Sequence, residues 1–122
     1  MDFLLIQENG TKIAELSASN FVIKRVQDGV DLLGNLYYQD INKVIIYESN
    51  LTPDFFDLKT GIDGELLQKF SNYRVSLAIV GDFAKYNSKS LSAFILESNK
   101  YKHINFVSSK KEAIERLCSL KS

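Results

Sequence analysis

Two runs of this chain, "KVIIYE" at 43–48 and "VSLAIVGD" at 75–82, limit its fold more than any other feature. Both are short, rich in β-branched residues and almost free of polar alternation. That is the pattern of a strand covered on both faces. Such a strand needs helices above and below it, and helices come between strands when the strands are parallel. With 122 residues, 45% of them apolar and 25% charged, the chain has the size and composition of one domain, 1–122, that buries a core without disulfides.

The rest of the chain fits around these two strands. "FLLIQENGTKIAEL" reads as a hairpin with strands near 3–8 and 11–16, turning at Asn9-Gly10, a pair that readily takes the positive φ angles of a two-residue turn. "FVIKR" is either an extended connector or an early helix. From Val26 the spacing Val26, Val30, Leu33, Tyr37 is helical, weakened by Gly29 and Gly34. Thr52-Pro53-Asp54 starts a short turn of helix over 53–57. Thr60 with Asp63 forms an acidic capping box for a helix carrying Ile62, Leu66 and Phe70 and reaching about Asn72. Leu91, Phe94 and Ile95 mark another helix, capped by Asn87 or Ser88 and stopped near Asn99. "HINFVS" is the last strand. Ser109 and Glu112 box a final helix with Ala113, Ile114, Leu117 and Leu120. The order is ββαβαβαβα. It implies an α/β fold with a five-stranded mixed sheet, an antiparallel hairpin at or near one edge, and helices on both faces.

Fifteen basic and fifteen acidic side chains cancel, and the lysines are scattered, which argues against nucleic acid as a partner. The single cysteine, Cys118, sits among apolar residues as a small core side chain and excludes an internal disulfide. No stretch has the length of a membrane span and the start lacks a basic region, so a cytoplasmic location away from membranes is expected.

The block "LTPDFFDLKTGIDGELLQKFSNYRVSLAIVGDF", with "SLSAFILESN" behind it, closely resembles the bacterial family called domain of unknown function 4180 across nearly the whole chain. More distantly, the order of elements resembles the STAS domain of anti-sigma-factor antagonists. There a strand leads to a helix whose N-terminus bears a phosphorylatable Ser or Thr followed by Gly. The resemblance implies a regulatory module in which Asp57, Thr60 and Gly61 occupy that place, although Leu58 and Lys59 separate the aspartate from the hydroxyl.

From the residues alone, Thr60 is an N-cap whose hydroxyl faces first-turn amides, or else a phosphoacceptor favoured by the positive end of the helix. Gly61, lacking a Cβ, would let another backbone approach that hydroxyl. Glu48, Asp57 and Asp82 stand at or past strand ends, where open α/β sheets place sites, and could serve a small enzyme or ligand-binding protein. However, no phosphate-binding fingerprint accompanies them, His103 is the sole histidine and no catalytic set is legible. Neither a metal nor a nucleotide cofactor is therefore expected. Adjacent Phe55 and Phe56 cannot both face inward from one helical turn, so one is expected to be exposed or to line a partner groove. The function expected is a STAS-like regulatory or protein-interaction module. Its docking surface spans Thr52 to Asp63 and the loop after Gly81, and its partner is another protein or a second copy of the chain.

Overall fold

The computed structural model describes residues 3–17, 22–101 and 103–119. Its elements are β1 (Phe3–Glu8), β2 (Thr11–Leu16), α1 (Val26–Tyr38), β3 (Lys43–Tyr47), α2 (Ile62–Asn72), β4 (Ser76–Val80), α3 (Lys89–Asn99), β5 (Ile104–Val107) and α4 (Lys110–Cys118). The five strands form one sheet in the order β1-β2-β3-β4-β5. β1 and β2 are antiparallel, and every later neighbour is parallel, with Val44 beside Leu77 and Leu77 beside Ile104. The hairpin turns where expected, with φ of 52° at Asn9 and 78° at Gly10.

Side chains alternate across each strand, and the two faces find different partners. On one face Ala14, Val44, Ile46, Leu77, Ile79 and Phe106 pack with Leu32 and Leu36 of α1, Leu66 and Phe70 of α2, and Leu91 of α3. On the other face Ile13, Ile45, Ala78 and Val107 meet Ala113 and Leu117 of α4. Three helices thus cover one side and α4 alone covers the other. This double covering is why β3 and β4 carry unbroken apolar runs.

Local differences from the expected elements have local causes. In α1 the buried residues are Gly29, Leu32, Leu33 and Leu36, and Tyr37 points to solvent. Gly29 does not merely weaken this helix. A Cβ there would lie 2.1 Å from Leu66 Cδ1, so the glycine is what lets α2 close onto α1. The connector at 22–23 is extended and bridges Ile23 to Leu51, held by Val22 and Ile23 N–H groups on the Asn50 carbonyl. Phe21 and Leu120 lie outside the described residues. Ser88 caps α3 by accepting from Leu91 N–H at 3.2 Å, and the helix ends at Asn99. Ser109 accepts from Glu112 N–H at 3.1 Å, while the Glu112 carboxylate reaches one residue further than in a simple box, to Ser108 N–H at 3.0 Å.

Candidate functional site

The C-terminal ends of the parallel strands surround an open cavity of about 750 Å³. Tyr47, Glu48 and Ser49 line it after β3, Gly81 to Ala84 after β4, and Ser108 and Glu112 after β5. A smaller cavity of about 270 Å³ adjoins it through Glu48 and Ser49 and reaches Pro53, Phe56, Lys85 and Tyr86. Pro53 and Phe56, from the segment 52–63, therefore meet the loop after Gly81 at one rim.

Glu48 joins them. Its carboxylate pairs with Lys85 Nζ at 2.6 Å, accepts from the Tyr86 hydroxyl, and accepts from Asp82 N–H at 3.3 Å. Burial alone would raise the Glu48 pKa, but the bonds from Lys85, Tyr86 and Asp82 outweigh it and hold the group below the ordinary glutamate value. The Tyr86 hydroxyl is pushed up, first by burial and then by its bond to Glu48. Gly81 makes room for this arrangement: a Cβ there would meet Glu48 Cβ at 2.7 Å and its Oε1 at 2.8 Å. Tyr86 also stacks on Phe56 at 4.8 Å, and Phe83 lies 5.9 Å from Phe56 and 5.3 Å from Phe106.

A second polar cluster sits beneath the cavity on the α4 side. The Tyr47 hydroxyl donates to buried Glu15, which also pairs with Lys110 Nζ of α4 at 3.1 Å. Burial and this bond push the Tyr47 hydroxyl up to about 12. At the turn after β3, Tyr47 N–H donates to the fully buried Asn50 Oδ1 at 2.9 Å.

The expected site residues fall in different places. Glu48 and Asp82 come together, but Asp57 does not line the cavity. Its carboxylate instead accepts from Lys59 N–H at 3.1 Å and caps a 3-10 turn over 58–60. Among the described residues no group of three His, Cys, Asp or Glu side chains is placed to hold a metal ion. Phe55 and Phe56 are both buried, at 1% and 6% exposure, so neither is the exposed aromatic, while Phe56 lines the smaller cavity. The reason is that residues 53–56 form a 3-10 turn covered by α2 on one side and by Tyr86 on the other.

Thr60 stands at the helix N-terminus but not as its cap. α2 begins at Ile62 and its N-cap is Gly61. The box with Asp63 does not form, because Thr60 N–H donates to the Asp57 carbonyl at 3.0 Å. The Thr60 hydroxyl donates toward the Asp54 and Asp57 carbonyls, at 2.7 and 2.9 Å, and accepts from Ile62 N–H at 3.3 Å. It is a joint between two 3-10 turns and α2. Gly61 is required for its φ of 76°, not for a close approach, since nothing lies within 4 Å of where its Cβ would be.

His103 is half-buried. Burial lowers its pKa, and its Nδ1 lies 3.5 Å from Ser76 Oγ, beside a groove of about 390 Å³ between α2 and α3. Among the described residues no carboxylate is bonded to the ring. Cys118 is partly buried against the α4-side cluster, as expected of a small apolar side chain.

Lys85, Tyr86, Glu15 and Asn50 carry much of this rim, yet none stands out in the sequence. Tyr86 is 38 residues from Glu48, inside a stretch that reads as a polar loop. The one local signal was Gly81 at the end of an apolar strand.

The family model described as Domain of unknown function (DUF4180) matches residues 8–117. The chain belongs to this family. The match spans every element from the hairpin turn to α4, so the cavity and the Glu48 cluster of this DUF4180 domain both fall within it. A comparison with curated proteins gives no match. Among the described residues of the DUF4180 domain, no helix is long and apolar enough to cross a membrane.

Proposed function

We propose that this DUF4180 domain is a regulatory protein-interaction module whose docking face is the rim at the C-terminal ends of β3 to β5. One observation carries the reading: the rim's carboxylates and hydroxyls are largely engaged with each other. Glu48 is held by Lys85, Tyr86 and Asp82, Glu112 by Ser108, and the Tyr47 hydroxyl by Glu15. A catalytic site needs an acid, base or nucleophile free to meet a substrate in a closed pocket. Here internal bonds fix the turns rigidly and leave a broad face to present, which suits a partner of matching shape. The ββαβαβαβα order, resembling that of STAS domains, agrees with action through a surface.

Within this reading Thr60 is the regulatory position. A phosphate ester has no hydroxyl proton for the Asp54 carbonyl, and its charge would lie near Asp57 and Asp63 in the chain. Phosphorylation would therefore loosen the joint at 54–62 and alter the face. The alternative, a ligand-binding protein or small enzyme using Glu48, Asp57 and Asp82, loses Asp57 from the cavity.

Photo-crosslinking in the native cells tests the reading, with the reactive residue at Ser49 or Ala84 on the rim and at Gln39 as a control near the start of β3. A discrete adduct from the rim positions and none from Gln39 is expected. Identical products from all three positions would contradict a docking face there. A small molecule retained in native mass spectrometry would favour the ligand-binding alternative. Intact-mass analysis of the same material should show a phosphate that disappears in Thr60→Val; its absence under all growth conditions would remove the switch.

A further inference from the structure

The two edges of the sheet are finished differently. On β5, His103 and Val107 carbonyls accept from Leu77 and Gly81 N–H groups, so these residues face β4 and Phe106 faces outward. That outward edge is closed by a side chain: Phe106 N–H donates to Asn99 Oδ1 at 2.7 Å, and Asn99 Nδ2 donates to the Phe106 carbonyl at 3.2 Å.

No such closure exists on β1 among the described residues. The hairpin pairs Glu8 with Thr11, Ile6 with Ile13 and Leu4 with Glu15. In a two-residue hairpin the closing pair is the hydrogen-bonded one, and bonding alternates from there. The backbone groups of Phe3, Leu5 and Gln7 therefore point to the open edge. Strand edges are commonly protected by lysine, proline or a bulge, and β1 has none of these. Instead it exposes Leu4 and Leu5, at 57% and 54%.

We infer that β1 pairs antiparallel with β1 of a second copy of this chain, about a two-fold axis through Leu5, to give one continuous ten-stranded sheet. Two features place the axis there: among the described residues the outward backbone groups lie on Phe3, Leu5 and Gln7, and the exposed side chains Leu4 and Leu5 adjoin it. The axis sets Leu5 opposite Leu5 and Phe3 opposite Gln7 as hydrogen-bonded pairs. On the α4 face it sets Leu4 opposite Ile6 of the second copy, as the closer, non-hydrogen-bonded pairs. Ile6 already packs against the α4-side cluster and Phe3 against the other, so the seam would extend both cores. A self-complementary patch of this kind is what a two-fold dimer requires. A single strand pair makes a small interface, so association in about the micromolar to millimolar range is expected.

Sedimentation velocity on the full chain over about 10 μM to 1 mM tests this. A monomer–dimer equilibrium is expected, with the dimer dissociation constant raised at least tenfold by Leu5→Lys. Leu5→Pro should act likewise, because its lost N–H faces outward and leaves the β1–β2 ladder intact. Circular dichroism and melting of both variants at low concentration should match the parent, separating lost pairing from lost folding. In a Cys118→Ser background, Leu5→Cys should form an intermolecular disulfide under mild oxidation, since hydrogen-bonded antiparallel partners stand about 5.5 Å apart. Leu4→Cys, displaced from its own copy, should not. A chain that stays monomeric throughout, a dimer unaffected by Leu5→Lys, or equal crosslinking at Leu4 and Leu5 would each overturn the inference.

Discussion

The half of the sheet built from β3, β4 and β5 and the half built from the hairpin handle their polar groups in opposite ways. Around β3 to β5, long-range side-chain bonds close what the backbone leaves open. Glu48 ties the turns after β3 and β4, and Asn99 seals the outward edge of β5. Arg116 of α4 donates to Asn105 Oδ1 at 2.8 Å and to the Asn99 carbonyl at 3.0 Å, linking that seal to the helix on the far face. Among the described residues the hairpin has no comparable clasp on its outer strand. The contrast teaches that one fold can close the backbone of one half with side chains and leave the edge of the other open.

Substitutions in the closed half should have the largest effects. Glu48→Ala leaves the Tyr86 hydroxyl and Asp82 N–H without their acceptor, and should cost about 2 kcal/mol in chemical denaturation. If it costs as little as a change on β1, the two halves are not distinguished as described. Asn99→Ala should cost about 1–2 kcal/mol, because it uncovers both backbone groups of Phe106. It should also give the protein a second pairing edge, seen as concentration-dependent aggregation that the parent lacks.

The pH dependence sharpens the same point. The folded Glu48 pKa is held below its unfolded value, so its stabilisation is complete above the usual glutamate value of about 4.3. It is lost as pH falls through the depressed folded value. Parent and Glu48→Gln should therefore differ most in stability near neutral pH and converge in acid. A difference that stays constant down to the acid transition would contradict this role for the carboxylate. The smallest effect belongs to Thr60, an exposed joint. Thr60→Val should cost about 1 kcal/mol by removing the hydroxyl from the Asp54 carbonyl and Ile62 N–H, and Thr60→Ser should be nearly neutral. A neutral Thr60→Val would leave the joint without energetic weight.

How much of this could be read in the sequence follows the range of the interactions. The apolar runs at 43–48 and 75–82, the Asn9-Gly10 turn and the Ser88 and Ser109 caps are local signals, and the fold follows from them. The 3-10 turns at 48–50, 58–60 and 83–85 are not legible, because their bonds are local but span too few residues to set up a periodic pattern, as where Asp57 accepts from Lys59 N–H. Thr60 stands one position before the cap for a related reason. Its spacing to Asp63 matches a capping box, but the preceding turn takes its N–H first. α-Helical geometry forbids burying both Phe55 and Phe56, but their 3-10 turn is covered from two directions and both are buried. The Glu48 cluster was half visible: the carboxylate stood at a strand end, but Lys85 and Tyr86 reach it only once β3 and β4 lie side by side.

Amide hydrogen exchange at two protein concentrations tests the contrast between the halves most directly. The amides of Phe106 and Asp82 should exchange slowly in dilute and concentrated solution alike, since Asn99 and Glu48 accept from them within the chain. The amide of Leu5 should exchange quickly when dilute and slow down as concentration rises and β1 finds its second copy. A Leu5 amide equally slow at both concentrations, or a Phe106 amide as fast as that of Leu5, would contradict the account.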